Sequence, residues 1–164
     1  MKTLLLVRHA KSSWNDSSLP DFERPLNERG RHDAPEMAKR IKNKSIDIDL
    51  FVSSPAKRAK KTAELFMEKL GANKKNLVLI DELYEASVDN FYDVIAGMKD
   101  KHDVIALFSH NPGMTNFIDS LQLTPVTEMP TCGIYAITIV TNTWADFKNS
   151  KKKFLFFDYP KKDE

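Results

Sequence analysis

The segment LLLVRHA, which runs from Leu4 to Ala10, decides how the rest of the chain is interpreted. Its four apolar residues, Leu4–Val7, have the length and composition of a buried β-strand. The run stops abruptly at Arg8 and His9, a fixed cation followed by a titratable imidazole. Continuous apolar strands are typical of a largely parallel sheet, in which ligands bind beyond the carboxyl ends of the strands. Arg8 and His9 therefore lie at the carboxyl end of a predicted strand, where a ligand would bind.

The composition predicts one globular domain rather than a membrane or fibrous protein. The chain has 164 residues, of which 41% are hydrophobic and 29% charged. No apolar run approaches the ~20 residues that span a bilayer, and the first one is too short for a signal peptide. The single cysteine, Cys132, rules out an internal disulfide, so we expect a cytoplasmic protein. The net charge of +2 argues against nucleic acid as a partner, and the Lys-rich runs 57–61 and 148–153 are interpreted as solvated faces.

Short apolar runs alternate with segments of helical period along the whole chain. The predicted strands are Leu4–Val7, Leu50–Val52, Leu77–Ile80, Val104–Phe108, Ile134–Val140 and Phe154–Phe157. Apolar stripes that predict helices lie within residues 34–41, 59–70, 91–98 and 114–121. We expect a three-layer α/β/α sandwich with a mostly parallel central sheet. The last two strands should add a hairpin-like edge through Thr141–Trp144.

Three of the predicted helices begin with capping signals. Ser54 can cap the second helix with Pro55 at its first position, and Ser87 can cap the third. Asn111 followed by Pro112 has the same character before the fourth. Helix amino termini at Ser54 and Asn111 would present backbone N–H groups to an anion.

Charged and titratable side chains follow three of the predicted strands. Arg8 and His9 follow the first strand, Arg58 lies in SSPAKR after the second, and His110 lies in SHNPG after the fourth. Arginine donates several hydrogen bonds in a fixed geometry and keeps its charge, which suits phosphoryl oxygens. A neutral imidazole can attack phosphorus, because histidine is partly unprotonated near neutral pH. The set predicts a phosphoryl-transfer site.

The same motifs resemble a known family. VRHA, SSPAKRAKKTAE and SHNPGM, in this order, are similar to the histidine phosphatase superfamily, whose fold is phosphoglycerate mutase-like. The loop DFERPLNERGRHDA and the segment LYEAS look closest to its SixA-type phosphohistidine phosphatases. The resemblance implies a single histidine phosphatase domain over residues 1–164 that needs no metal or other cofactor.

The resemblance also assigns roles to individual residues. It makes His9 the nucleophile that carries the phosphoryl group, with Arg8, Arg58 and His110 on the phosphoryl oxygens. These assignments add two substrate-binding residues, Arg24 in ERPL and Asn111 in SHNPG.

The general acid stays open at this stage. Relatives that act on alkyl phosphates use a carboxyl group after the third strand, and Glu85 in LYE matches that spacing. Glu82 and Asp21 are the competing carboxyl groups. An imidazole leaving group would depend less on a general acid, because its second nitrogen can already carry a proton.

Other candidate residues are set aside on chemical grounds. A cysteine phosphatase needs an arginine six residues after its nucleophile, and Thr138 stands there relative to Cys132. His32 and His102 lie among charged residues and are expected to be solvated.

Four functions remain to be compared. The first is removal of phosphate from phosphohistidine on a protein, and the second is hydrolysis of a small phosphorylated metabolite. A catalytically silent phosphate-binding module would have no use for a nucleophile such as His9. Nucleic-acid binding through the basic runs would depend strongly on salt.

Overall fold

The computed structural model describes residues 1–162, which form a mixed six-stranded sheet with helices on both faces. The elements, in chain order, are β1 Lys2–Arg8, α1 Glu28–Asn43, β2 Leu50–Ser53, α2 Lys57–Leu70, β3 Leu77–Leu79, α3 Val88–Ala96, β4 Val104–Ser109, α4 Gly113–Leu121, β5 Ile134–Ile139 and β6 Lys152–Asp158. The strand order is β3-β2-β4-β1-β5-β6. The predicted three-layer sandwich with a mostly parallel sheet is confirmed: β3, β2, β4 and β1 pair in parallel, β5 pairs antiparallel with β1, and β6 pairs antiparallel with β5.

Strand β1 lies in the middle of the sheet and feeds both cores. Leu4 and Leu6 face the layer that contains α3 and α4, while Leu5 and Val7 face α1 and α2. All four side chains are buried, as expected for a strand covered on both faces. This burial fixes the strand, and with it the direction in which Arg8 and His9 leave its end.

Strand β3 departs from that pattern. It has only three residues, pairs with β2 alone, and leaves Val78 and Leu79 exposed. Short edge strands of this kind have no neighbour to cover them, and their brevity limits pairing with other chains.

The hairpin-like edge is confirmed, but the connection is longer than Thr141–Trp144. Strands β5 and β6 pair antiparallel, and a 3₁₀ segment, Trp144–Asn149, lies between them. Trp144 and Phe147 are buried in the core, and the indole N–H of Trp144 donates to the carbonyl of His102 at 2.7 Å. The sequence pattern did not predict this segment, because a 3₁₀ turn that buries two aromatic side chains has neither strand nor α-helical periodicity.

The helix starts were predicted with mixed success. Ser87 forms a capping box with Asn90 at the start of α3, as expected. The prediction for α2 was wrong: the helix begins at Lys57 after Ala56, and the Ser54 hydroxyl accepts from the Ala56 N–H at 3.2 Å and lies 2.7 Å from His110 Nε2.

The Asn111-Pro112 pair also differs from a standard cap. Helix α4 begins at Gly113, and the peptide bond between Asn111 and Pro112 is cis. The Asn111 side-chain oxygen nevertheless accepts hydrogen bonds from the backbone N–H and the hydroxyl of Thr115, so it satisfies a donor of the first turn.

Within residues 1–162, no helix has the length and apolar character required to cross a membrane.

Candidate active site

The residues selected from the sequence line one cavity at the carboxyl ends of β1, β2 and β4. The cavity has a volume of about 880 Å³. Its lining includes all seven of these residues: Arg8, His9, Arg24, Arg58, Glu85, His110 and Asn111. They come from five separate stretches of the chain, and the parallel strands bring them to the same edge of the sheet.

The hydrogen bonds of His9 define which ring nitrogen is free to react. The Nδ1 atom lies 2.7 Å from the carbonyl oxygen of Ala10. A carbonyl only accepts, so Nδ1 carries the proton and Nε2 keeps its lone pair. Burial lowers the pKa of His9 to about 3, and the nearby charges of Arg58 and Arg8 act in the same direction. The ring is therefore neutral at physiological pH.

Two residues outside the predicted site, Thr62 and Cys132, hold the backbone around His9. The Thr62 hydroxyl accepts from the Ala10 N–H at 2.9 Å and donates to the Arg58 carbonyl at 2.7 Å. The Cys132 N–H lies 3.0 Å from the carbonyl oxygens of both Arg8 and His9. The Cys132 side chain is buried, and burial raises the pKa of its thiol. Cys132 thus supports the end of β1 through its backbone.

Arg58 reaches His9 from the first turn of α2. Its Nε atom lies 3.4 Å from His9 Nε2, a long hydrogen bond in which the guanidinium donates. The rest of the guanidinium is held by Asp21, whose carbonyl and carboxylate oxygens accept at 2.7 and 3.0 Å. Asp21 therefore orients Arg58 toward His9.

Asp21 is the centre of a charged network at the cavity wall. Its carboxylate also accepts from Arg24 Nε at 3.2 Å and from the Tyr84 hydroxyl at 2.7 Å. Desolvation acts to raise the pKa of Asp21, but the hydrogen bonds from Tyr84 and Arg58 outweigh it and lower the pKa to about 2. Asp21 is a carboxylate at neutral pH in this arrangement, which makes it unsuitable as a proton donor.

Two buried side-chain nitrogen atoms in the cavity, Arg8 Nε and His110 Nδ1, lack hydrogen-bond partners within residues 1–162. The Arg8 Nη1 donates to the carbonyl of Met129 at 2.8 Å, whereas its Nε has no acceptor. His110 Nε2 lies 2.7 Å from the Ser54 hydroxyl, whereas its Nδ1 is unpaired. Burial, followed by the charge of Arg58, lowers the pKa of His110 to about 3. Unpaired buried polar atoms are costly, so a ligand that pairs with them would gain free energy.

The loop after β3 closes another side of the cavity. Tyr84 packs its ring edge-on against His110, with ring centroids 5.5 Å apart. Its hydrogen bond to Asp21 is the main reason that the pKa of Tyr84 is raised to about 12. A Cβ on Gly113 would lie 2.2 Å from the carbonyl oxygen of Ala86, so only glycine permits α4 to approach this loop so closely.

The carboxyl candidates differ in position. Glu85 is exposed at the rim of the cavity and has a positive φ of 55°, whereas Glu82 does not line the cavity. Asn111 lines the cavity, but its amide donates to the Met129 carbonyl at 3.1 Å and its oxygen accepts from Thr115. The catalytic roles of His9, Arg8, Arg58, His110 and Glu85, and the substrate-binding roles of Arg24 and Asn111, stay predictions.

Comparisons with known proteins identify a family for the chain. Residues 4–119 match the family model described as the histidine phosphatase superfamily, branch 1. An uncharacterised chloroplastic protein of Arabidopsis thaliana is 27% identical over 88% of this chain and 70% of its own length. A 2,3-bisphosphoglycerate-dependent phosphoglycerate mutase of Bartonella tribocorum is 30% identical over 61% of this chain, which spans about half (48%) of that relative.

Solved structures share the fold over nearly the whole chain. A putative phosphohistidine phosphatase SixA from Agrobacterium tumefaciens has a TM-score of 0.80 at 24% identity and covers 97% of this chain and 98% of its own. A protein histidine phosphatase SixA complexed with tungstate has a TM-score of 0.80 at 20% identity, with 96% and 97% coverage. The family match and the arrangement around His9 lead to one conclusion: the chain belongs to the histidine phosphatase superfamily.

Proposed function

We propose that this protein is a phosphatase that transfers a phosphoryl group to His9 Nε2 and then to water, and that its substrate is phosphohistidine on a protein. The observation that carries the proposal is the state of the His9 ring. Its Nδ1 proton is directed to the Ala10 carbonyl and its unprotonated Nε2 lies in the cavity beside Arg58. An imidazole held in this tautomer is ready to act as a nucleophile without a separate base.

The charges around His9 suit the oxygens of a phosphoryl group. Arg58 is a buried cation and Arg8 is a partly buried one, both line the cavity with His9, and His110 packs its ring 5.2 Å from that of His9. A phosphoryl oxygen would provide acceptors for N–H groups of this set, including the Arg58 Nε that now faces His9. Donors placed in advance where charge develops lower the barrier without reorganisation.

The reaction proceeds in two displacements. In the first, the bond between His9 Nε2 and phosphorus forms while the bond between phosphorus and the leaving group breaks. Because Nδ1 keeps its proton and its bond to Ala10, the phosphorylated ring carries a positive charge that weakens its own bond to phosphorus. In the second, water attacks phosphorus, the His9 lone pair returns to Nε2, and inorganic phosphate leaves.

The carboxyl groups favour an imidazole leaving group. Asp21 is held as a carboxylate by Arg58, Arg24 and Tyr84, and Glu85 is exposed at the rim. An alkoxide would depend on a well-placed acid, whereas an imidazole whose second nitrogen is protonated departs as a neutral molecule. The fold shared with SixA-type proteins supports the same substrate class by analogy.

A phosphatase of a small phosphorylated metabolite is the second candidate. It is favoured by the phosphoglycerate mutase relatives and by a cavity of about 880 Å³, which could hold a small substrate. The two candidates share the chemistry at His9 and differ in what lies beyond the phosphorus atom.

The test combines trapping with a substrate comparison. The protein is mixed with a histidine-phosphorylated protein domain and quenched at alkaline pH, where phosphohistidine survives, and the adduct is located by mass spectrometry. We expect phosphate on His9, no adduct in His9→Ala, and faster turnover of the phosphoprotein than of sugar or nucleotide phosphates. Preference for one small phosphate ester would establish the second candidate, and absence of both adduct and turnover would leave a binding module.

A further inference from the structure

Trp14 is a large apolar side chain that the fold leaves uncovered. It is 76% exposed, although it lines the cavity that contains His9. The other tryptophan of the chain, Trp144, is fully buried in the core. Tryptophan and tyrosine side chains at binding surfaces supply much of the contact energy. The core therefore does not explain the position of Trp14.

The Trp14 ring is held from one side by a buried cation. The guanidinium carbon of Arg24 lies 3.5 Å from the ring centroid. Arg24 itself is buried and donates to the Ser12 hydroxyl at 2.8 Å and to Asp21 at 3.2 Å. One face of the indole is thus covered by a fixed group, and the high exposure of the side chain leaves the opposite face to solvent.

The backbone next to Trp14 is also fixed. The Ser13 N–H donates to the Pro25 carbonyl at 2.8 Å, and Ser12 and Leu26 form an isolated β-bridge. A short hydrogen-bonded ladder therefore precedes the tryptophan. A ring that is already positioned loses little conformational entropy when a ligand stacks on it.

We propose that the open face of Trp14 is a subsite for an aromatic ring bonded directly to phosphorus, which is the imidazole of a phosphohistidine. This inference rests on the proposed function and adds the residue that selects the leaving group. An imidazole joined to phosphorus has no flexible spacer, so its ring stays at the cavity wall while its oxygens contact Arg8 and Arg58. When its second nitrogen is protonated, the ring is a cation that the face of an indole attracts.

A chain of contacts links this subsite to the nucleophile. The Arg24 guanidinium that stacks on Trp14 also contacts Asp21, and Asp21 holds the Arg58 that reaches His9. The subsite and the phosphoryl site therefore share one supporting network, so their separation is fixed.

The kinetic test compares two substrates in three variants. For Trp14→Leu, the ratio of kcat/KM for phosphohistidine to kcat/KM for acetyl phosphate, which has no ring, should fall about five- to tenfold. Trp14→Phe should recover most of this ratio because it keeps an aromatic face. Phe22→Leu is the matched control: Phe22 is partly exposed and packs on Tyr84 outside the cavity lining, so the ratio should stay within about twofold. An unchanged ratio in Trp14→Leu would overturn the proposal.

A binding measurement separates the subsite from the proposed function. In the His9→Ala background, which cannot form the adduct, a triazole phosphonate analogue of phosphohistidine is titrated against methylphosphonate. The fluorescence change reports Trp14, because the chain has two tryptophans and Trp144 is buried. Calorimetry gives both affinities: we expect tighter binding of the ring-bearing phosphonate, with quenching of Trp14 by that ligand only, and equal affinities for the two phosphonates in Trp14→Leu. Equal affinities without quenching would refute the subsite even if phosphohistidine is hydrolysed, whereas a preference for the ring without hydrolysis would refute the proposed function alone.

Discussion

The buried histidines predict a strong dependence of stability on pH. Removal of one of them, by His9→Ala, should weaken that dependence by a calculable amount. An unfolded histidine takes up its proton near pH 6.5, whereas burial lowers the pKa of folded His9 and His110 to about 3. As the pH falls below 6.5, the unfolded state therefore binds protons that the folded state excludes, so the free energy of unfolding decreases until about pH 3.

The magnitude follows from the two pKa values. Between pH 7.5 and pH 5.0, an imidazole with an unfolded pKa near 6.5 and a folded pKa near 3 removes about 2 kcal/mol of unfolding free energy. His9 and His110 together should remove about 4 kcal/mol, an upper value because local opening lets water reach the rings. The pKa of Asp21 is lowered from an ordinary value of 3.8 to about 2, so its contribution to the free energy of unfolding is lost only below pH 5.0.

The assay is urea unfolding at the two pH values in buffer without phosphate, since an anion in the cavity would stabilise the folded state. The difference between pH 7.5 and pH 5.0 should be about 2 kcal/mol smaller in His9→Ala than in the parent protein. His32→Ala removes an exposed imidazole from α1 and should leave the difference within about 0.5 kcal/mol of the parent value. Identical differences for His9→Ala and the parent would refute a neutral, buried nucleophile.

Three further substitutions test the supporting groups. Asp21→Asn removes the charge that orients Arg58, so kcat/KM should fall about tenfold on every phosphorylated substrate in steady-state assays. Glu85→Gln should slow hydrolysis of an aryl or alkyl phosphate at least about tenfold more than that of phosphohistidine, and equal losses would contradict the leaving-group argument. Thr62→Val leaves the Ala10 N–H unpaired and should cost about 1–3 kcal/mol in urea unfolding, most of which Thr62→Ser restores.

The sequence predicted the elements of this fold well because each has a strong local signal. The six strands are apolar runs, and the four helices carry stripes of period 3.6 on the face that each one buries. The placement of Arg8, His9, Arg58 and His110 at one cavity followed from a general property of parallel sheets, in which strand ends share an edge.

Contacts between distant residues could not be predicted in the same way. Ser54 was expected to cap α2, but its hydroxyl is 2.7 Å from His110, which lies 56 residues later. Thr62 is indistinguishable in sequence from any helix threonine, and its role depends on Ala10 being adjacent in space. Asp21 was a candidate acid until the three hydrogen-bond donors around its carboxylate were placed.

The central position of β1 has a consequence for how the protein becomes active during synthesis. The strand pairs with β4 and β5, residues 104–109 and 134–139, and with no other strand described here. During synthesis on the ribosome, the apolar run before His9 therefore stays unpaired until most of the chain has emerged. In that interval the run is accessible to chaperones and to other nascent chains. A nascent chain that stalls before β4 would hold His9 at the end of an unpaired strand, so the cavity that contains His9 forms only after β4 and β5 have been synthesised.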